Sequence, residues 1–314
     1  MRRLITACLI GVGLSVALWY TPVNTAQAID GCTASDVLYP AGESQQTLLF
    51  EDTERTFTLV LPPDYDSAQP MPLVLSLHGV FSDAAQQQVY TGWDALAARE
   101  TVIIAYPNGT GFPRRWFGDF GNFDNDELNA SVRLMQALIN ELSANLCLDP
   151  ARIYINGFSN GGGLAYKVAC TLSQTVAAVG IVSGAFPTQN AACDPTRSVS
   201  IIVFHGDADR VVPYDGSADT HSPAQFAAEW GARNGCDPTP ESLEPQGAVS
   251  GVRYVGCTDD AEVVFYSIAG GGHNWPGGGV PESVFMADNT TTDISATEAM
   301  WTFFVAHPLP IALP

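Results

Sequence analysis

Lysine is nearly absent from this sequence, and basic residues as a group are scarce. The 314 residues include 13 basic and 33 acidic ones, with Lys167 as the single lysine, so the formal net charge is −20 at pH 7. A surface of this sign repels nucleic acids and anionic membranes, and we exclude both as partners. We attribute the acidity to solubility in a saline or extracellular medium and assign it no role in chemistry.

The apolar segment at residues 4–19 is short for a membrane-spanning helix. Arg2-Arg3 precede it, and Ala26-Gln27-Ala28 follow it as an A-x-A cleavage pattern. Together these features predict a removable signal peptide over residues 1–28. We therefore expect an exported protein, secreted to the extracellular medium or held in the periplasm.

No C-x-x-C pair occurs, which argues against a thiolate metal site, and we expect no bound metal. One of the seven cysteines, Cys8, leaves with the signal peptide. An even number in an exported chain suggests three disulfides, although the sequence leaves their connectivity open. Proximity along the chain favours the pairs Cys170–Cys193 and Cys236–Cys257, with Cys32 left for Cys147.

Internal repeats, heptad runs, low-complexity segments and Pro/Thr/Ser-rich linkers are all missing, so we expect one domain over residues 29–314. Short β-branched or apolar stretches predict strands at 55–61, 73–77, 102–105, 152–155, 176–182, 200–204 and 263–268. Helix-like segments lie at 84–99, 127–146, 161–172, 224–234 and 295–305. Their alternation indicates an α/β fold with a mostly parallel central sheet and helices on both faces.

The segment Gly157-Phe158-Ser159-Asn160-Gly161 lies between a predicted strand and a predicted helix. In that context a G-x-S-x-G pattern predicts a nucleophile elbow, a strained turn that holds the serine hydroxyl clear of the sheet at a helix N-terminus. Only small residues at 157 and 161 leave room for such a turn. The alternative is a Gly-rich turn with a solvated serine, so the elbow needs a base and an acid elsewhere in the chain.

His273 is the predicted base. In α/β-hydrolases the acid and then the base follow the serine in the chain. His273 lies in a Gly-rich loop directly after the strand at 263–268, where its ring can reach a neighbouring strand end. We expect loop-shaping or surface roles for the other histidines, which are His78, His205, His221 and His307.

The acid is expected in the loop after the strand at 200–204, because ligands bind at the carboxyl ends of parallel strands. We predict Asp209, because the following Arg210-Val211-Val212-Pro213 turns away and can hold its carboxylate inward. Asp207 is the competitor, and Asp215 is the third carboxylate of this loop. Turn capping is the alternative role for these side chains.

Ester or amide chemistry at a serine also needs two donors for the developing oxyanion. The first is predicted to be the backbone amide of Asn160, which follows the serine. The second is expected in the loop after the strand at 73–77, and we assign it to the amide of Val80.

With these elements in place, the chain resembles the secreted polyhydroxybutyrate-depolymerase/feruloyl-esterase family of α/β-hydrolases over residues 55–304. The resemblance is carried by the segments Leu77-His78-Gly79, Gly92-Trp93-Asp94-Ala95-Leu96-Ala97, Tyr106-Pro107-Asn108-Gly109, Gly157-Phe158-Ser159-Asn160-Gly161-Gly162, His205-Gly206-Asp207-Ala208-Asp209, Val212-Pro213-Tyr214, Trp230-Gly231-Ala232-Arg233-Asn234-Gly235-Cys236 and Gly271-Gly272-His273-Asn274-Trp275-Pro276-Gly277. It implies a triad of Ser159, Asp209 and His273 that works without a cofactor. It also supports the pair Cys236–Cys257.

The chain departs from the family in one region. Where the family often has a cysteine before a tryptophan, this chain has Arg114-Arg115-Trp116-Phe117, and two adjacent aspartates are replaced by Asp124-Asn125-Asp126. This region should border the acyl pocket, so the departures bear on substrate choice. We assign Trp116 and Trp275 to the substrate site, where they can stack an aromatic acyl group or form a buried wall.

The acidic loop at 119–126 offers oxygen atoms suited to Ca²⁺ but lacks the EF-hand pattern. Asp126 is well placed to cap the helix that follows, which is the role we predict for it. We therefore expect no metal in this loop.

These features predict a monomeric, exported serine esterase, and most of all a feruloyl esterase that acts on plant polysaccharide esters. A polyhydroxybutyrate depolymerase is the alternative, although many such enzymes carry a linker and a substrate-binding module that this sequence lacks. Acetyl xylan esterase and prolyl-oligopeptidase-like peptidase are further alternatives. A non-catalytic binding protein is disfavoured because all three triad residues are present.

Overall fold

Strands and helices follow one another along the chain, and ten of the described strands form one large sheet. The structure is a computed structural model that describes residues 32, 39–119, 122–188, 193–279 and 289–310. The predicted signal peptide at 1–28 lies outside these described residues. No helix in the described part of the chain is both long and apolar enough to cross a membrane.

The described strands are β1 (Gly42–Phe50), β2 (Thr53–Leu61), β3 (Met71–Leu77), β4 (Ile103–Pro107), β5 (Leu148–Phe158), β6 (Ala178–Val182), β7 (Phe186–Pro187), β8 (Ser200–Gly206), β9 (Thr220–His221), β10 (Glu241–Gln246), β11 (Val249–Tyr254) and β12 (Val263–Ile268). The helices are α1 (Ala84–Thr91), α2 (Trp93–Glu100), α3 (Asp126–Asn145), α4 (Asn160–Thr171), α5 (Pro223–Arg233) and α6 (Ala296–Ala306). A short 3₁₀ turn spans Thr258–Asp260.

The main sheet of the described residues has ten strands in the order β1-β2-β4-β3-β5-β6-β8-β12-β11-β10. The central strands from β4 to β12 pair in parallel, and β1, β2, β10 and β11 pair antiparallel at the two edges. The predicted mostly parallel sheet is confirmed, and each of the seven predicted strands is present. Its parallel strands bring their carboxyl ends to one edge, which is where ligands bind in such sheets.

Helices cover both faces of the sheet, as the alternating pattern predicted. One buried cluster includes residues of α3, α4 and α5 against one face of the strands. A second cluster packs residues of α1, α2 and α6 against the opposite face. Because β3 and β8 are buried along their whole length, their sequences are almost entirely apolar rather than alternating.

Two local predictions about helices were wrong. The predicted helix at 84–99 is two helices, because Gly92 adopts a left-handed φ of 67° that ends α1 and begins α2. The predicted cap of α3 is also displaced by one residue. Asn125, rather than Asp126, accepts the hydrogen bond from the amide of Leu128, and Asp126 is the first residue of the helix.

The three predicted disulfides are all present: Cys32–Cys147, Cys170–Cys193 and Cys236–Cys257. Cys170–Cys193 joins α4 to the segment before β8, and Cys236–Cys257 joins the end of α5 to the connection between β11 and β12. One cysteine of each pair, Cys147, Cys193 or Cys257, lies shortly before β5, β8 or β12, so each crosslink fastens the start of one of these strands.

Candidate active site

Ser159 occupies a strained turn between β5 and α4. Its backbone angles are φ 55° and ψ −117°, a conformation that L-residues rarely adopt. A Cβ atom added to Gly157 would overlap the carbonyl group of Gly161, and one added to Gly161 would overlap the carbonyl oxygen of Leu77. The two glycines are therefore required by space, as the elbow prediction proposed for these positions.

The start of α4 directs the positive end of a helix toward this serine. Ser159 is the N-cap residue, and its carbonyl accepts the first helical hydrogen bond from the amide of Gly163 at 3.0 Å. Its own amide donates to Val182 at the end of β6, 2.9 Å away. The serine is thus fixed on both sides, and the helix dipole favours negative charge at its hydroxyl.

Asp209 lies in the loop after β8 and accepts hydrogen bonds at both carboxylate oxygens. Oδ1 accepts from the amides of Val211 and Val212, each at 2.8 Å, so the following turn holds the carboxylate inward as predicted. Oδ2 lies 2.7 Å from Nδ1 of His273. The competing carboxylate, Asp207, instead accepts from the amide of Gly270 and has the turn-capping role.

The carboxylate of Asp209 is held in its ionised form. Burial alone would raise its pKa, but the contacts of the carboxylate with the rings of His205 and His273 lower the pKa well below its usual range. A buried carboxylate that receives several donors is a fixed negative charge next to the imidazole of His273.

His273 is buried in the glycine-rich loop that follows β12. Its ring lies 4.8 Å, between centroids, from the ring of Phe158, the residue directly before Ser159. The loop therefore carries the imidazole back across the ends of β8 and β6 toward β5. The structure brings the predicted base against the acid and against the strand that leads into the serine.

Tyr90, on α1, anchors this loop and was missed in the sequence. Its hydroxyl accepts a hydrogen bond from the amide of Trp275 at 2.8 Å and donates to Oδ1 of Asn274 at 3.1 Å. Its ring packs edge-on against Phe158. Nothing in the local sequence could have identified this role, because the partners lie more than 180 residues away along the chain.

The loop after β3 is shaped by His78, as predicted. Nδ1 of this buried ring lies 2.7 Å from the carbonyl of Gly79, and Nε2 accepts from the amide of Gly109 at 2.9 Å. Burial lowers the pKa of His78 to about 4, so the ring is neutral at pH 7. A Cβ atom on Gly79 would lie 3.3 Å from Cβ of Ser159, which places the loop carrying Val80 directly beside the serine.

The side chain of Asn160 has a second, structural use that the elbow motif did not reveal. Its Oδ1 accepts from the amide of Trp116 at 2.7 Å, and its Nδ2 donates to the carbonyl of Phe117 at 3.0 Å. Asn160 therefore ties the segment that departs from the family pattern to the start of α4.

Trp116 and Trp275 are each only 1% exposed, and both indole nitrogens donate hydrogen bonds. The indole of Trp116 donates to the carbonyl of His78 at 2.8 Å, and that of Trp275 donates to Thr297 at 3.0 Å. This geometry favours the second of the two predicted roles, in which the tryptophans form a buried wall behind the site.

The acidic loop at 119–126, of which residues 120 and 121 lie outside the description, is occupied by its own contacts. Oδ1 of Asp124 accepts from Asn129 at 3.0 Å and lies 3.5 Å from the ammonium of Lys167. Oδ1 of Asn122 accepts from the amide of Asp124. Across the residues that the structure describes, no group of three or more His, Cys, Asp and Glu side chains is arranged to hold a metal ion.

The sequence pattern of the family described as "Esterase PHB depolymerase" matches residues 55–228. The chain is 28% identical over 262 residues to "Probable feruloyl esterase C" of Aspergillus niger, covering 80% of this chain and 84% of that protein. It is 27% identical over 309 residues to "Putative esterase NocK" of Nocardia uniformis, covering 91% and 86%.

Comparison with solved structures supports the same fold. An acetyl xylan esterase from Aspergillus awamori aligns with a TM-score of 0.60 at 15% identity, over 83% of this chain and 99% of that one. At this identity the likeness shows the α/β-hydrolase fold alone. The family pattern, by contrast, covers more than half of the chain. The chain therefore belongs to the esterase PHB depolymerase family of α/β-hydrolases and is a carboxylic ester hydrolase.

Proposed function

We propose that this chain is an exported feruloyl esterase that hydrolyses hydroxycinnamate esters of plant polysaccharides with Ser159, His273 and Asp209 as its triad. The observation that carries the proposal is the 2.7 Å contact between Nδ1 of His273 and Oδ2 of Asp209, beside a serine held at a left-handed φ. A serine hydroxyl is a weak nucleophile until an oriented base takes its proton.

The reaction proceeds in two steps. Ser159 attacks the ester carbonyl while Nε2 of His273 takes the hydroxyl proton, and the alcohol leaves after receiving that proton. Water then attacks the acyl-enzyme with His273 again as the base, which releases the acid and restores the serine. Asp209 keeps the imidazole in the tautomer with hydrogen on Nδ1 and stabilises its charged form.

The backbone amides of Val80 and Asn160 receive the oxyanion in both steps. Asn160 is the first residue of α4, so the positive end of the helix adds to its donor. The closeness of Gly79 to Ser159 supports Val80 as the second donor. Fixed donors of this kind act in a site that needs no reorganisation when charge develops.

The feruloyl substrate is supported by the likeness to the feruloyl esterase of Aspergillus niger. Polyhydroxybutyrate is the second candidate, and the family description together with two exposed aromatic side chains favours it. Phe81, next to Val80, is 75% exposed, and Phe112 is fully exposed. The amide of Phe81 donates to the backbone carbonyl of Arg114, two residues after Phe112. Exposed aromatic side chains of this kind suit contact with an apolar polymer.

We further propose that the enzyme works as a monomer outside the cytoplasm. Three disulfides suit an oxidising compartment. The acidic surface suits an extracellular medium and disfavours nucleic acid or anionic membranes as partners.

The triad is tested with Ser159→Ala and a matched control, Ser183→Ala. Ser183 is also buried at a strand end with a positive φ of 49°, but it is not assigned to the reaction. We expect Ser159→Ala to abolish hydrolysis of methyl ferulate and labelling by a fluorophosphonate, whereas Ser183→Ala retains both. Unchanged turnover in Ser159→Ala would refute the triad.

The substrate is tested with the unmodified enzyme on methyl ferulate, acetylated xylan and polyhydroxybutyrate film. Fastest turnover of methyl ferulate is the expected result. A cleared film without release of ferulate would reverse the order of the two candidates.

A further inference from the structure

Asp209 has a second histidine on the oxygen that faces His273. Nε2 of His205 lies 3.3 Å from Oδ2 of Asp209, and both side chains are fully buried. The same nitrogen lies 2.9 Å from the carbonyl oxygen of Val212. His205 is the penultimate residue of β8, so the strand itself fixes where its ring can lie.

These contacts determine the tautomer of His205. A backbone carbonyl can only accept, so the short contact with Val212 requires a hydrogen on Nε2. The hydrogen therefore points to Val212, and Oδ2 of Asp209 is a second, longer contact of the same nitrogen at 3.3 Å. Nδ1 is buried without a hydrogen-bond partner among the described residues.

A small cavity adjoins this ring. It is lined in part by His205, Asn274 and Thr290. That space suits one water molecule, which can complete the hydrogen bonding of Nδ1.

We propose that His205 is a positioning residue for ester hydrolysis, whose Nε2–H is bonded to Val212 and, through its longer contact with Oδ2, helps to fix the carboxylate of Asp209 in the place from which it orients His273. This inference rests on the triad proposed above. Oδ1 of Asp209 is held by the amides of Val211 and Val212, and His205 adds a second contact on Oδ2 beside that of His273. The carboxylate then cannot rotate without breaking a contact on each side.

His205 also withdraws part of the charge that Asp209 presents to His273. Without His205, Oδ2 of Asp209 is more negative. The protonated imidazole of His273 is then more stable, so it releases its proton less readily to act as the base. The other titratable groups near this oxygen are few. Tyr90 faces Asp209, Tyr214 packs against the ring of His205 at 6.1 Å, and Asp207 binds the amide of Gly270.

The tautomer is tested directly by long-range ¹⁵N–¹H NMR of the histidine-labelled enzyme at pH 7. The signals of His205 are assigned by their loss in the His205→Gln variant. We expect hydrogen on Nε2 of His205, and an unprotonated Nε2 would overturn the proposal. This readout does not depend on activity, so it separates a failure here from a failure of the triad, which the Ser159→Ala assay reports.

The effect on catalysis is tested with His205→Leu, which removes the donor, and His205→Gln, whose amide nitrogen can replace Nε2. For the leucine variant we expect kcat to fall about tenfold or more with KM little changed, because a displaced orienting group costs rate rather than binding. The acid limb of its pH–rate profile should move to higher pH by about half a unit. The glutamine variant should recover both kcat and the position of the limb.

A role in packing alone gives a different pattern. The proposal would be overturned if both variants lost the same amount of kcat. It would also be overturned if the pH–rate profile of the leucine variant stayed at the position of the unmodified enzyme. Thermal unfolding of each variant shows whether the compared proteins are folded.

Discussion

The imidazole of His78 and the amide of Gly109 form a 2.9 Å hydrogen bond that joins the loop after β3 to the loop after β4. The ring accepts at Nε2 and uses Nδ1–H for the carbonyl of Gly79, so a second proton has no place on it. A Cβ atom on Gly109 would approach the ring of His78 to 3.3 Å, which shows how closely the two loops meet. The loop that carries Val80 is therefore shaped by a histidine that must remain neutral.

We predict that this histidine makes stability depend on pH between about 6.5 and about 4. Burial lowers the pKa of His78 to about 4, so in this window the unfolded chain binds a proton that the folded ring does not. The stability that His78 contributes is fully present above the pKa of an unfolded histidine, about 6.5, and is lost as the pH falls toward the folded value of about 4. The free energy of unfolding should drop by about 2–3 kcal/mol between pH 7 and pH 4.5, measured by urea denaturation.

The control for this prediction is His78→Gln, which does not titrate but retains an acceptor for Gly109. Its free energy of unfolding should fall much less over the same interval. The lowered pKa of Asp209 contributes mainly below about pH 4, outside the interval, because its stabilisation is lost only as pH falls from its ordinary value toward the folded one. An equal drop in both proteins would assign the pH dependence to other groups.

Tyr90→Phe should slow the reaction without unfolding the enzyme. The variant keeps the ring against Phe158 but leaves the amide of Trp275 and the side chain of Asn274 without the hydroxyl, so the loop that carries His273 loosens. We expect kcat on a p-nitrophenyl ester to fall about tenfold and stability to fall by about 1–2 kcal/mol.

Tyr154→Phe is the matched control for Tyr90→Phe. The hydroxyl of Tyr154 is buried on β5 and has no hydrogen-bond partner among the described residues. Its removal should leave kcat unchanged and should not reduce stability. A wild-type rate in Tyr90→Phe would show that the loop holds His273 without the tyrosine.

Asp209→Asn and Asp207→Asn distinguish the two carboxylates of the loop after β8. Asparagine at 209 can still accept from the amides of Val211 and Val212, but it disturbs the tautomer of His273 and removes the charge that stabilises the imidazolium. We expect kcat to fall by about a thousandfold or more for Asp209→Asn. Asp207→Asn should change kcat little, since Asp207 contacts the amide of Gly270 and not the imidazole. Comparable losses in both would contradict the assignment of the acid.

The elbow, the parallel strands and two of the disulfide pairs could be predicted because each depends on neighbours in the sequence or on short spacings, whereas Cys32–Cys147, 115 residues apart, followed only as the pair that remained. The edge strands could not. β1 carries Gln45, Gln46 and other polar residues with an alternating burial pattern, and β10 is almost wholly exposed. Such strands are stabilised by backbone pairing with β2 and β11 rather than by an apolar sequence signal.

The residues that support the site could not be predicted from the sequence either. Asp209 could be chosen from its loop, but the shared oxygen between His205 and His273 depends on β8 and β12 lying side by side. The hold of Asn160 on Trp116 likewise depends on two segments that lie 44 residues apart. Short motifs pointed to the side chains proposed for the triad, and the sheet topology decides which residues hold them.

Lys167→Met should destabilise the enzyme although the ammonium belongs to no proposed catalytic step. This lone lysine is 2% exposed on α4, where Nζ donates to the carbonyl of Phe123 at 2.8 Å and lies 4.8 Å from the centre of the same ring. Methionine fills similar space but cannot donate, so the buried carbonyl loses its partner at a cost of about 1–3 kcal/mol in urea denaturation. Arg133→Met is the surface control, because Arg133 pairs with Glu51 where both side chains are more than half exposed, and its loss should cost less than about 1 kcal/mol. Equal losses of stability in the two variants would show that the buried hydrogen bond of Lys167 does not stabilise the fold more than a surface ion pair. The segment before α3 would then have to be held by Asn125 and its neighbours instead.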